Sequence, residues 1–146
     1  MTLITGALLL VAVSAMPLLG ATQSISVWAG IYTDAQAARG KEVFIRACAE
    51  CHATQPGEMA GDGTAPSLIG ENFSYRWTDY SIVGLFDTIR QTMPEAAPNS
   101  LSPAEYADVT AYLLEINGYP VGTAELDYTQ RERLGRTFID EKPPED

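Results

Sequence analysis

Apolar residues recur at helical spacing in three stretches of the chain, at about 34–48, 81–91 and 103–117. Within each stretch they return every three or four positions, which places them on one face of a helix. No stretch shows the strict alternation of apolar and polar residues that is typical of a half-buried strand. The pattern therefore predicts an all-α fold.

The first predicted helix begins at Asp34 and ends near Cys48. Thr33 precedes it as the N-cap, and Gln36 lies at the position that completes a capping box. The apolar face of this helix consists of Gly40, Phe44 and Ala47. Charged residues occupy the other faces, which are expected to be solvated.

The other two helices have clear boundaries. The second ends before Pro94, because a residue that precedes proline disfavours the α region. Its apolar face consists of Ile82, Leu85, Phe86 and Ile89. The last helix has Ser102 as N-cap, Pro103 at its first position, a capping box closed by Glu105, and a stop at Gly118. Its apolar face consists of Val109, Tyr112, Leu113 and Ile116.

The two ends of the chain differ from its middle. Residues 2–21 carry no charge and contain a strongly apolar run at 8–13, which predicts a secretory signal peptide over 1–22. The same segment is about long enough to cross a bilayer as an uncleaved anchor, although Pro17 and Gly20 favour cleavage. Either alternative exports the chain. The remaining predicted segments are a lead-in at 23–34, a domain at 35–120 and an acidic C-terminal tail at 121–146.

The formal net charge is −10 over 146 residues. Nucleic-acid binding relies on Lys and Arg that displace counterions from phosphates, so this charge argues against a nucleic-acid partner. An acidic surface suits a protein partner with a basic face. Four apolar residues of the tail are expected to attach parts of it to the domain: Leu126, Leu134, Phe138 and Ile139.

The sequence Cys48-Ala49-Glu50-Cys51-His52 contains the only two cysteines and the only histidine of the chain. Its C-x-x-C-H spacing is the attachment motif of c-type haem, in which two thiols form thioethers and the imidazole binds the iron. A disulfide or a redox dithiol would use the same cysteines, but no βαβ setting accompanies them. A structural zinc site requires four ligands, and no second cluster is present.

A sixth iron ligand remains to be assigned, and methionine, lysine, water or a diatomic molecule are the candidates. Met1 and Met16 belong to the leader, and Met59 follows His52 closely on the same loop. Met93 lies much farther along the chain, between the second predicted helix and Pro94, which stiffens the turn. Met93 is therefore the predicted distal ligand, and a Met/His pair raises the reduction potential.

From about Ala35 to Tyr119 the chain resembles the class I cytochromes c. In that family a glycine and an aromatic residue on the first helix precede the haem motif, as Gly40 and Phe44 do here. An aromatic-leucine pair on the last helix, here Tyr112-Leu113, crosses the first helix. The resemblance implies a class I fold, with three to five helices around one covalent haem c.

The resemblance also implies roles for single residues. The family's Pro-x-Leu segment is present as Pro66-Ser67-Leu68, so the Pro66 carbonyl is expected to accept a hydrogen bond from His52, with Leu68 beside the haem. The family's distal methionine corresponds to Met93. Trp77 is a candidate to donate its indole N–H to a haem propionate, as an analogous tryptophan does in the family, and core packing is the alternative. Arg76 and Arg90 are further candidates, with a solvent-facing position as the alternative for each. Tyr75 is a neighbouring aromatic residue.

The implied function is a periplasmic single-electron carrier with His/Met-ligated haem. Within the family, the sequences around Met93 and the last helix look most like small periplasmic bacterial cytochromes, some of which accept electrons from quinoprotein dehydrogenases. The expected partners are a dehydrogenase donor and an oxidase or another cytochrome as acceptor, with membrane contact only if the leader is retained. The alternatives are a dedicated subunit of a dehydrogenase or respiratory complex, and a haem sensor with a labile sixth ligand. No set of residues indicates substrate turnover.

Overall fold

The computed structural model describes residues 23–52 and 65–144. Within them it contains five α-helices: α1 (Asp34–Ala47), α2 (Glu71–Trp77), α3 (Ile82–Thr92), α4 (Pro103–Ile116) and α5 (Arg131–Gly135). Two strands of two residues each, β1 (Ile25–Ser26) and β2 (Thr137–Phe138), pair in parallel. The all-α fold class is confirmed. The predicted leader lies outside the described residues, and no helix among those described is long and apolar enough to cross a membrane.

Helix α1 begins as predicted, but one half of its capping box is wrong. The Thr33 hydroxyl oxygen accepts a hydrogen bond from the Gln36 backbone N–H at 3.2 Å. The Gln36 side chain does not return to Thr33. Its amide is buried under the C-terminal segment, where it donates to the Leu126 carbonyl at 3.0 Å and accepts from the Leu126 N–H at 2.7 Å. The Gln36 side chain thus binds a distant pair of backbone groups instead of completing the capping box, and the Thr33 cap itself is kept.

The boundaries of α3 and α4 follow the sequence signals. Ser81 caps α3, which ends at Thr92, directly before Met93. The capping box of α4 is complete, because the Ser102 hydroxyl accepts from the Glu105 N–H while the Glu105 carboxylate accepts from the Ser102 N–H. Gly118 follows α4 with φ +79°, a conformation that glycine adopts without strain.

Helices α1 and α4 cross at Gly40, as the family resemblance implies. A Cβ at Gly40 would lie 1.9 Å from the Asp108 carbonyl oxygen and 2.9 Å from the Tyr112 Cβ, so only glycine permits this approach. Next to the crossing, the Arg39 guanidinium donates to both carboxylate oxygens of Asp108, at 3.0 and 3.1 Å. The rings of Phe44 and Tyr112 pack at a centroid distance of 5.3 Å.

Helix α4 is the centre of the core. Residues 106–114 are buried without interruption, because α1 packs on one side of the helix and α3 on another. The predicted apolar face is correct for Val109, Tyr112 and Leu113, while Ile116 is half-buried. The face is wider than the helical spacing predicts, since it also includes buried polar residues such as Thr110.

The segments on either side of the helices pack together and form part of the core. Leu126, Leu134 and Ile139 are buried as predicted, whereas Phe138 is only half-buried. The Trp28 indole donates to the Asp140 carbonyl at 3.0 Å, joining the lead-in to the tail. The strand pair and the short helices α2 and α5 were not predicted from the sequence, because elements of two to seven residues are too short to show a period.

Candidate haem-binding site

The two cysteines and His52 lie in a turn that continues α1. The Cys48 carbonyl accepts hydrogen bonds from the backbone N–H of Cys51 at 3.1 Å and of His52 at 2.9 Å. This turn keeps the three side chains within one local unit. Both thiols are free, Cys48 half-buried and Cys51 exposed. Burial raises the pKa of the Cys48 thiol to about 11, although the positive charge of Arg46 opposes the shift.

The His52 ring has a fixed orientation. It is only 7% exposed, and its Nδ1 lies 3.0 Å from the carbonyl oxygen of Pro66. A carbonyl only accepts, so Nδ1 carries the proton in this hydrogen bond. In the neutral imidazole this hydrogen bond selects the tautomer in which Nε2 carries the lone pair that can bind a metal. The hydrogen bond that the family resemblance implied is therefore confirmed.

The segment that supplies the Pro66 carbonyl is itself attached to the end of α4. Asn117 donates from Nδ2 to the Leu68 carbonyl at 2.9 Å, and its Oδ1 accepts from the Gly70 N–H at 2.8 Å. Sequence reasoning missed Asn117, because an asparagine before Gly118 is typical of an ordinary helix end. Asn117 thus positions the residues that orient His52.

Met93 follows the last residue of α3 and is half-buried. Its N–H donates to the Ile89 carbonyl at 2.8 Å, and its carbonyl accepts from the Tyr106 hydroxyl, also at 2.8 Å. The Met93–Pro94 peptide bond is cis. The competing candidate Met59 lies outside the described residues.

The residues predicted to contact propionates occupy different settings. Trp77 is buried, and its ring meets Tyr80 edge-on at 5.5 Å. The Arg76 guanidinium lies over the Trp77 ring at 5.7 Å from its centroid. Tyr75 is 96% exposed. The Arg90 side chain donates to the Asn99 carboxamide oxygen at 2.7 Å. The roles of Trp77 and both arginines towards a propionate stay predictions.

These residues fit a covalent haem. Two free thiols adjoin an imidazole whose Nδ1 is bonded to a carbonyl, and this is the set of side chains that haem c attachment requires. Leu68, Ile89 and Leu101 are half-buried apolar side chains that pack on the core. Among the described residues, no three His, Cys, Asp or Glu side chains come together as a metal-binding group.

Comparison with known families agrees with the site. The family model described as cytochrome c oxidase, cbb3-type, subunit III matches residues 35–113, which is more than half of the chain. The chain belongs to this family of class I-like c-type cytochromes. Its cytochrome c domain defines it as a haem-based electron carrier. No curated protein and no solved structure matches it significantly.

Proposed function

We propose that this chain is a periplasmic single-electron carrier with one haem c bound through Cys48 and Cys51, and with His52 and Met93 as axial ligands. The observation that carries the proposal is the hydrogen bond from His52 to the Pro66 carbonyl, directly beside two free thiols. Such a bond fixes the ring and increases the basicity of the ligand nitrogen.

The haem, when bound, supplies an iron that alternates between the ferrous and ferric states. The chain's own residues decide how it is used. His52 presents one nitrogen from a fixed ring, and Met93 offers a soft thioether that favours the ferrous state. If both His52 and Met93 hold the iron, small molecules would have no open coordination site on it. The arrangement suits outer-sphere electron transfer rather than turnover of a substrate.

The proposed location and partners rest on the sequence. The uncharged apolar segment at 1–22 supports export, and the net charge of −10 supports docking to a partner with a basic face. A dehydrogenase as electron donor, and an oxidase or another cytochrome as acceptor, are the partners expected of such a carrier.

A second candidate is favoured by the description of the family, which names an oxidase subunit. In this alternative the chain is a dedicated subunit of an oxidase, of a quinoprotein dehydrogenase or of another respiratory complex. Gel filtration of the protein from its native membrane and periplasmic fractions separates the two. The carrier proposal predicts elution as a free small protein, whereas a subunit co-elutes with a large complex.

The ligand assignment is tested on the haem-loaded full chain by its optical spectra. Methionine-ligated ferric haem has a weak charge-transfer band at the red end of the visible spectrum, and we expect Met93→Ala to abolish it. The reduced variant should also bind carbon monoxide, which the wild type should not. Met59→Ala is the matched control and should retain the band. Loss of the band in Met59→Ala alone would contradict the assignment, and ready carbon monoxide binding by the wild type would favour the haem sensor.

A further inference from the structure

Both polar backbone groups of Met93 are held in place. Its N–H donates to the Ile89 carbonyl on α3, and its carbonyl accepts from the Tyr106 hydroxyl on α4. The peptide groups on both sides of the Met93 Cα are therefore fixed. This fixes the direction of the Cα–Cβ bond, so only the side-chain torsions remain to place the sulfur.

The donor of the second hydrogen bond is one of the most enclosed side chains of the described region. Tyr106 is 0% exposed, and its ring meets Phe86 edge-on at 6.5 Å. A tyrosine packed in this way has little rotamer freedom, so its hydroxyl is a fixed point. The hydrogen bond connects Met93 to the central helix of the core.

A second contact closes the segment after Met93. Asn99 has φ +60°, its N–H donates to the Arg90 carbonyl at 2.9 Å, and its Oδ1 accepts from the Arg90 Nε at 2.7 Å. We call this pair the Arg90–Asn99 clasp. It returns the chain to the last turn of α3, so the residues between Met93 and Asn99 form a closed loop.

We propose that Tyr106 is a positioning residue for Met93, and that the Arg90–Asn99 clasp assists it by closing the loop that carries the ligand. This inference rests on the proposed function, in which the Met93 sulfur binds the iron. Among the described residues, no other donor is hydrogen-bonded to the Met93 carbonyl, so loss of the Tyr106 hydroxyl leaves this carbonyl without a protein partner there. The segment then moves away from the iron more readily, and an external ligand competes better with the thioether.

The test is the affinity of imidazole for the ferric, haem-loaded full chain, followed by loss of the methionine–iron band. Tyr106→Phe deletes one oxygen atom and keeps the ring. We expect imidazole to bind this variant about tenfold more tightly than the wild type, the factor that corresponds to one intramolecular hydrogen bond. Asn99→Gly keeps the positive φ and the backbone N–H but removes the side-chain contact, and a smaller increase of about threefold is expected.

Tyr32→Phe is the matched control. It also removes a buried tyrosine hydroxyl that donates to a backbone carbonyl, that of Tyr119, but both groups lie outside the segments that carry the proposed ligands. We expect its imidazole affinity to equal that of the wild type. Equal affinities in Tyr106→Phe and Tyr32→Phe would overturn the proposal.

If Tyr106→Phe yields no haem-loaded protein, the imidazole affinity of Asn99→Gly decides the test. Tighter imidazole binding than in Tyr32→Phe supports the inference, and equal binding overturns it. Failure of the ligand assignment is recognised separately, because the methionine–iron band would then survive in Met93→Ala.

Discussion

The backbone of α1 at Gly40 lies against the carbonyl of Asp108 on α4, with no room for a methyl group between them. A Cβ at Gly40 would lie 1.9 Å from that oxygen. The contact sets how closely the first and last large helices cross. The Cys48–His52 turn follows directly from α1, so the crossing also determines where the haem motif lies relative to the core.

Gly40→Ala should therefore strongly destabilise the fold. The added methyl group meets backbone rather than a flexible side chain, and the helices must separate, at a cost of about 3 kcal/mol, the upper end of the usual cost of overpacking. Urea unfolding of the haem-loaded protein and its yield measure the effect. Gly84→Ala is the control, because the nearest atom to its added Cβ is the Ser81 hydroxyl at 3.4 Å. That variant should be as stable as the wild type, or more stable by up to about 1 kcal/mol. Equal loss in both variants would contradict the role of Gly40.

Gln36 should attach the C-terminal segment to α1. Gln36→Met removes the partners of the Leu126 N–H and carbonyl together, and two unsatisfied buried groups cost about 2–4 kcal/mol. Gln91→Met provides the comparison, since it makes the same exchange at an exposed position of α3. A difference between their urea midpoints is expected. Identical midpoints would show that the tail does not depend on Gln36.

Stability should fall between about pH 10 and pH 12. Burial raises the pKa of Tyr32 to about 12, and the negative charges of Glu115 and Asp34 add to the shift. An unfolded tyrosine titrates near pH 10, so in this range the unfolded chain releases a proton that the folded chain retains. Raising the pH then favours unfolding, by up to about 1.4 kcal/mol per pH unit for this one residue.

Urea unfolding across this pH range, on the wild type and on Tyr32→Phe, measures the contribution. The variant should start from a lower stability, because its hydroxyl bond is lost, yet decline less steeply. Tyr112 and Tyr119, whose pKa values burial also raises, account for the slope that remains. Tyr75→Phe, at a 96% exposed position, should keep the full wild-type slope. Parallel slopes in wild type and Tyr32→Phe would refute the assignment.

The parts of the fold that follow from the sequence are those encoded locally. Ser102, Pro103 and Glu105 define the start of α4 within one turn, and Gly118 ends it. Likewise, the two cysteines and His52 lie within five residues, so their spacing alone indicates haem attachment. The close approach of α1 and α4 at Gly40 was inferred from the family resemblance and not from helical spacing. The spacing of a glycine does not show which residue of another helix packs against it.

The parts that could not be predicted depend on distant partners. The Gln36 side chain satisfies the backbone of Leu126, and the Tyr106 hydroxyl reaches the Met93 carbonyl on another element. Tyr106 lies three residues before Val109 and seven before Leu113, so helical spacing places it beside the predicted apolar face, but spacing does not show where its hydroxyl bonds. In the sequence, Asn117 looks like an ordinary helix end. Its hydrogen bond to the Leu68 carbonyl is visible only in the structure. Such polar contacts between distant residues produce no periodic pattern in the sequence.

The central claim, a covalent haem with His52 and Met93 as ligands that carries single electrons, is tested most directly by a spectroelectrochemical titration of the haem-loaded wild-type chain. We predict one reversible one-electron transition, low-spin spectra in both states, and a methionine–iron band that disappears on reduction and returns on oxidation. A high-spin ferrous form, or a ferric spectrum without the band, would contradict the account.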